Sequence, residues 1–323
     1  MARSGRARGA SHLRGGSATH VAPGSGRRQG APVAAVSSPS PRYRLGPPVG
    51  RGASATVYRA YDRERDRWVA LKLGEEGVEA LRREHAALAR VRHPHVVEAF
   101  ELVPGPPPAF AMELVEGPDL VRWVREDVPG APRRAGPRRN LPMAFGYTLQ
   151  EEGRSAYAPC TARGAARLRS ALRALAGALE AVHGAGLLHL DVTRANVRVA
   201  GERPVLLDLG LARERGGREP LEVAGTAAAL APELGDGAPG PGADWYALGV
   251  LAFEALTGRL PFDGGDVEVL VRKQSVSAPR AADVAPGAPA DLDAACAALL
   301  ARSPRERADG AALRALLDGG RAE

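Results

Sequence analysis

Cysteine, lysine and long apolar runs are scarce in this 323-residue chain, and each scarcity excludes something. Cys160 and Cys296 are the only cysteines, too few for a disulfide framework, so a reducing cytoplasm is the expected compartment. No apolar run approaches the roughly 18 residues needed to cross a bilayer, so no membrane span is expected. The first 44 residues hold no acid and no apolar core of the kind a secretory signal carries. They are rich in Gly, Ser, Pro and Arg without apolar period, so residues 1–42 are expected to form a disordered basic tail. Eight arginines sit in residues 1–44, whereas residues 45–323 carry 36 basic against 37 acidic side chains. The net charge of +7 therefore belongs to the tail, and nucleic acid is not an expected partner of the rest. No internal repeat is apparent. The remaining 280 or so residues are long for one compact body but ordinary for two lobes sharing a cleft.

Lysine is the most telling absence. Of 44 basic side chains only Lys72 and Lys273 are lysines, and a chain so committed to arginine keeps lysine where a compact ammonium does what a flat guanidinium cannot. Lys72 lies in the strand-like run Trp68-Val69-Ala70-Leu71-Lys72-Leu73. Over 78–91, Leu81, Leu88 and Val91 recur at helical spacing and Glu84 shares their face, so it needs a buried partner, which a lysine on a neighbouring strand would supply. Further on, Asp191 lies between Leu190 and Val192, and Asp208 follows Val205-Leu206-Leu207. Acids set among apolar residues are costly unless a cation, a metal or hydrogen bonds compensate them. Asp191, Asn196 and Asp208, brought together from two short strand-like segments, suit a site that holds Mg2+ and handles phosphate. Upstream, Val49-Gly50-Arg51-Gly52 precedes Thr56-Val57-Tyr58, a tight strand turn whose amides can approach phosphate. A dinucleotide-binding fold needs a helix after such glycines, and here strand continues.

These features, in this order, resemble the eukaryotic-like (bacterial-type) serine/threonine protein kinases. His189-Leu190-Asp191 through Asn196 is similar to the catalytic loop H-R-D-x-x-x-x-N, and Asp208-Leu209-Gly210 to the D-F-G loop. Val69-Ala70-Leu71-Lys72 resembles the V-A-x-K strand, Gly50 and Gly52 the glycine-rich loop, and Leu230-Ala231-Pro232-Glu233 the A-P-E segment that follows Gly225-Thr226. The resemblance implies an α+β bilobal fold with a small β-rich N-lobe over 43–112, a hinge over 113–117 and a larger helical C-lobe over 118–318, leaving 319–323 as a tail. It also implies ATP and Mg2+ as cofactors and a protein as substrate. Asp191 would orient the substrate hydroxyl and accept its proton, Lys72 would clamp the α- and β-phosphates, Glu84 would hold Lys72, and Asn196 and Asp208 would hold the metal. Val49, Gly50, Gly52, Val57 and Ala70 would line the nucleotide, with Met112 as gatekeeper and the backbones of Glu113 and Val115 on adenine. Asp244 would cap the backbone of the catalytic loop, and Arg307 would pair with Glu233.

Asp127 to Arg163, rich in Pro, Gly and Arg, reads as an insert between two helices, and helical order resumes at Leu168, Leu172, Leu175, Leu179 and Val182 until Gly184 and Gly186. Several residues depart from the family pattern. Thr193 stands where a catalytic-loop lysine meets the γ-phosphate, Leu190 where an arginine precedes the catalytic Asp, and Arg198 where an apolar residue lies under adenine; Leu209 replaces Phe. The favoured expectation is an active serine/threonine kinase that does not need activation-segment phosphorylation. The alternatives are a nucleotide-binding pseudokinase scaffold and a small-molecule phosphotransferase; the A-P-E segment and Asp244 argue against the last.

Overall fold

In the computed structural model the described residues are 38–51, 55–74, 77–128, 158–217, 227–235 and 239–319. The expected basic tail up to residue 37, Gly52, Gly225-Thr226 and most of the expected insert lie outside them. Five antiparallel strands form the first layer: β1 (Tyr43–Arg51), β2 (Ala55–Asp62), β3 (Arg67–Gly74), β4 (Ala99–Val103) and β5 (Ala109–Met112), in the order β1-β2-β3-β5-β4. Because side chains alternate along a strand, β3 sorts its residues between two faces. Val69, Leu71 and Leu73 join Tyr43, Ala60, Val103, Ala109 and Ala111 in one small apolar cluster. Ala70 and Lys72 take the opposite face. There the cross-strand register sets Gly50 beside Val57, Val57 beside Lys72, and Lys72 beside Phe110. Helix α1 (Val78–Ala89) follows β3 and buries Leu81, Glu84 and Leu88, the stripe that the spacing predicts.

The remaining elements make the second lobe: α2 (Leu120–Val124), α3 (Ala162–Gly184), β6 (Leu187–Leu188), β7 (Val197–Ala200), β8 (Arg203–Leu206), β9 (Arg213–Glu214), α4 (Pro241–Thr257), α5 (Asp266–Ser275), α6 (Ala281–Val284), α7 (Ala290–Leu299) and α8 (Gly310–Gly319). The architecture is bilobal α+β, with a β-rich first lobe and a helical second one. Helix α3 begins at Ala162, where the Thr161 hydroxyl accepts from Gly164 N, just inside the far end of the expected insert. Its Leu168, Leu172, Leu175, Leu179 and Val182 are all buried. Helix α4 is apolar on nearly every side and forms the axis of the lobe, as a helix buried all round must. Its C-terminal turn receives both ends of the insert: Arg125 donates to Leu256 O and Ala158 O, and Cys160 N donates to Leu256 O. Among the described residues no helix is long and apolar enough to cross a membrane.

Arg307, just before α8, pairs with Glu233 as the family resemblance implies. Its fully buried guanidinium donates to Glu233 Oε1 at 2.7 Å and Oε2 at 3.0 Å, and to the carbonyls of Gly242, Ala301 and Arg302. Arg307→Met leaves a partly buried carboxylate and three carbonyls without their donors, and removing one partner of a buried pair costs on the order of 3 kcal/mol. The urea midpoint should fall correspondingly with an unchanged slope; a loss below about 1 kcal/mol would mean that water replaces the arginine.

Candidate active site

Lys72 is placed by strand alternation and Glu84 by helix periodicity, and the two meet: Lys72 Nζ lies 2.6 Å from Glu84 Oε1. The same ammonium lies 3.0 Å from Asp208 Oδ2, on the turn after β8. Burial pulls Lys72 downward, but Glu84 and Asp208 outweigh it and hold the ammonium above the usual lysine range. Burial would likewise raise Asp208, yet Lys72 and the Gly210 N–H keep it below the usual carboxylate range. Asp208 has a φ of 60°, and Gly210 N donates to its Oδ1 at 2.8 Å. A Cβ on Gly210 would sit 2.8 Å from that oxygen, so a side chain there would displace the Asp208 carboxylate.

The second arm of the site hangs from Asp244 at the start of α4. Its Oδ2 accepts from His189 N at 2.9 Å and its Oδ1 from Leu190 N at 2.7 Å, which sustains a φ of 60° at Leu190. A leucine held in the left-handed region needs such support. His183 Nε2 donates to the same carboxylate at 2.8 Å. His189 accepts from Asp191 N at Nδ1 and therefore donates from Nε2 to Leu207 O at 3.0 Å. One imidazole thus joins the loop bearing Asp191 to the strand end bearing Asp208. Asn196 closes the loop by donating Nδ2 to Asp191 O at 3.0 Å and to Asp191 Oδ2 at 2.5 Å. Burial raises Asp191 above its usual range, against the pull of His189, and the negative charge of Asp208 adds to the rise.

Lys72, Glu84, Asp191, Asn196 and Asp208 are linked in this way through direct hydrogen bonds and through His189. Three carboxylates around one ammonium leave an excess of negative charge. The Asn196 amide oxygen and the Asp208 carboxylate are hard oxygen donors, the kind that hold Mg2+ when phosphate and water complete its shell. The residues therefore fit that ion.

Of the expected nucleotide-lining residues, Val49 is exposed on β1, Val57 is half-buried and Ala70 is buried beside Met112. Glu113 N donates to Glu98 O at 2.8 Å, which leaves the Glu113 carbonyl as its hinge-side backbone group, and its carboxylate pairs with Arg203. Val115 is two residues on, before Gly117, whose φ of 156° and close approach to the Val199 carbonyl admit no side chain. Arg198 on β7 donates to Gly117 O at 3.4 Å, so its guanidinium is drawn to the hinge backbone.

Sequence reasoning missed the partners of Arg194. Its guanidinium bonds Asp119 Oδ1 at 2.8 Å and Glu254 Oε1 at 3.2 Å, which commits that charge away from Thr193. Two signals were available: Asp119 is the N-cap of α2, and Glu254 is the only acid in the apolar run from Trp245 to Leu256. Such an acid requires a buried partner.

Residues 43–309 match the protein kinase domain family. The chain is similar to the serine/threonine-protein kinase PkaA of Streptomyces coelicolor, with 32% identity over 272 residues that make up 76% of this chain and 44% of PkaA. It is also similar to the serine/threonine-protein kinases PknL and PknE of Mycobacterium tuberculosis. PknL is 31% identical over 86% of this chain and 65% of its own length; PknE is 30% identical over 82% and 43%. The chain thus spans between two fifths and two thirds of the length of these curated relatives.

A ligand that binds only the folded protein raises its melting temperature by mass action. ATP with Mg2+ should stabilise the wild type more than ATP alone, and Asp208→Asn should lose that Mg2+-dependent increment while still unfolding cooperatively. An undiminished increment in a thermal-shift titration would remove Asp208 from the metal site.

Proposed function

The chain belongs to the bacterial-type serine/threonine protein kinases, and from that premise we propose that it is an active one, moving the γ-phosphate of ATP to serine or threonine hydroxyls of proteins. The observation that carries this reading is the assembled charge arrangement: Lys72 bonded to both Glu84 and Asp208, with Asn196 bonded to Asp191. In it Lys72 clamps the α- and β-phosphates and Glu84 holds Lys72 in place. Asp191 orients the incoming hydroxyl and accepts its proton, and its upward-shifted carboxyl suits that exchange. Asn196 and Asp208 would hold Mg2+, which when bound neutralises charge on the phosphates. Val49, Gly50, Gly52, Val57 and Ala70 line the nucleotide, and the backbones of Glu113 and Val115 take adenine below Met112.

The same reading assigns 43–112 to the N-lobe, 113–117 to the hinge, 118–318 to the C-lobe with an insert over 127–163, and residues 1–42 and 319–323 to tails. The segment ending at Ala231-Pro232-Glu233 receives the acceptor polypeptide. Two buried free cysteines, Cys160 and Cys296, are in keeping with a reducing cytoplasm. The alternative, a nucleotide-binding pseudokinase scaffold, draws on Thr193 and on Arg198, whose guanidinium faces the hinge backbone.

Leu190 stands where a phosphate-binding arginine would be, and a leucine cannot pair with phosphate. Activity therefore does not depend on phosphorylation between Gly210 and Pro232. With Mg2+, labelled ATP and a generic acceptor protein, the wild type should label serine or threonine before and after phosphatase treatment. Asp191→Asn should lose on the order of 100-fold or more. Equal labelling by the variant would point to a contaminant, and no labelling by either would favour the scaffold. Loss on dephosphorylation, restored by rephosphorylation of that segment, would overturn the independence from Leu190.

A further inference from the structure

The second of the two lysines, Lys273 on α5, is almost wholly buried, yet no carboxylate lies within ion-pair distance of it among the described residues. Its Nζ instead donates to three backbone carbonyls of one short turn: Ala227 O at 2.8 Å, Ala228 O at 2.6 Å and Leu230 O at 2.9 Å. An ammonium has three N–H donors, and here each meets one acceptor. A neutral amine would turn a lone pair toward one of those oxygens. Burial pushes Lys273 down to about 7, while the three carbonyls and the face of Tyr246, 5.2 Å away, favour the charged form. A planar guanidinium cannot converge three bonds on one point from a buried stem.

The turn so held leads directly into Ala231-Pro232-Glu233, whose far end Arg307 anchors through Glu233. Beside it Leu230, Ala231, Pro232, Leu234, Leu270, Lys273 and Gln274 line a small cavity of about 90 Å3. Three of the four residues of this turn offer their carbonyls to the one ammonium, so the tether fixes the direction in which those carbonyls point. We infer that Lys273 is a positioning residue for the acceptor-binding segment, holding the backbone of 227–230 in the conformation that receives the polypeptide substrate. This inference rests on the kinase reading for the identity of the substrate, but the tether itself is a property of the fold.

The test compares wild type with Lys273→Met, which keeps the length of the side chain and removes every donor, and with Lys273→Gln, which keeps donors without charge. Steady-state kinetics with a generic acceptor protein should show the acceptor KM raised by about tenfold or more in Lys273→Met, less in Lys273→Gln, with the KM for ATP unmoved. Hydrogen exchange should quicken at the amides of 227–234 and not in α2. An acceptor KM unchanged in a folded variant, or unchanged exchange at 227–234, overturns the inference. Failure of both variants to fold also overturns it, because the lysine would then hold the whole lobe and not one segment. A wild type with no turnover defeats the kinase reading, and exchange in the variants still decides the tether.

Discussion

One ammonium set against two carboxylates is the interaction on which the rest of the cleft depends. Lys72 comes from β3, Glu84 from α1 and Asp208 from the turn after β8, so the ion triad binds the two lobes as well as the site. Removing an acid leaves a partly unpaired buried cation, and removing the cation leaves two facing acids. Asp191 adds a third carboxylate nearby, and its carboxyl is raised partly by Asp208. The site is thus built short of positive charge, as a centre that receives a divalent ion and polyphosphate should be.

The second constraint is backbone geometry. Leu190 and Asp208 both occupy the left-handed region, where a side chain is disfavoured. Each is paid for by hydrogen bonds: the Asp244 carboxylate on the amides of His189 and Leu190, and the Gly210 amide on Asp208. His189 couples the two by bonding both Asp191 N and Leu207 O. A buried imidazole with both nitrogens bonded in this way makes the two acid-bearing loops one mechanical unit.

Much of this was legible in the residues because it rests on short periods. Alternation on β3 and the helical spacing of Leu81, Glu84 and Leu88 were enough to bring Lys72 to Glu84. The pairing of Arg307 with Glu233 followed from family order. Pairings without a local period were harder to read: Arg194 reaches Asp119 and Glu254 across 75 and 60 residues, signalled only by a capping acid and a lone acid in an apolar run, and Lys273 reaches backbone carbonyls, which carry no sequence signature. Composition did give one hint. Both lysines in a chain of arginines turn out to be buried ammoniums with specific acceptors, Lys72 on acids and Lys273 on carbonyls.

If the cleft transfers phosphate as proposed, it does so short of one cation at the γ-phosphate. Thr193 brings only a neutral hydroxyl, and Arg194 is held by Asp119 and Glu254. A lysine at that position would add positive charge where the transition state redistributes its negative charge. Steady-state kinetics of wild type and Thr193→Lys with Mg2+ and ATP test this most directly. The expected result is a slow wild type and a kcat about tenfold higher in the variant, worth only about 1.4 kcal/mol, with little change in the KM for ATP. An unchanged or lower kcat would contradict it by showing the site complete without a lysine, and absence of turnover in both would contradict the catalytic reading itself.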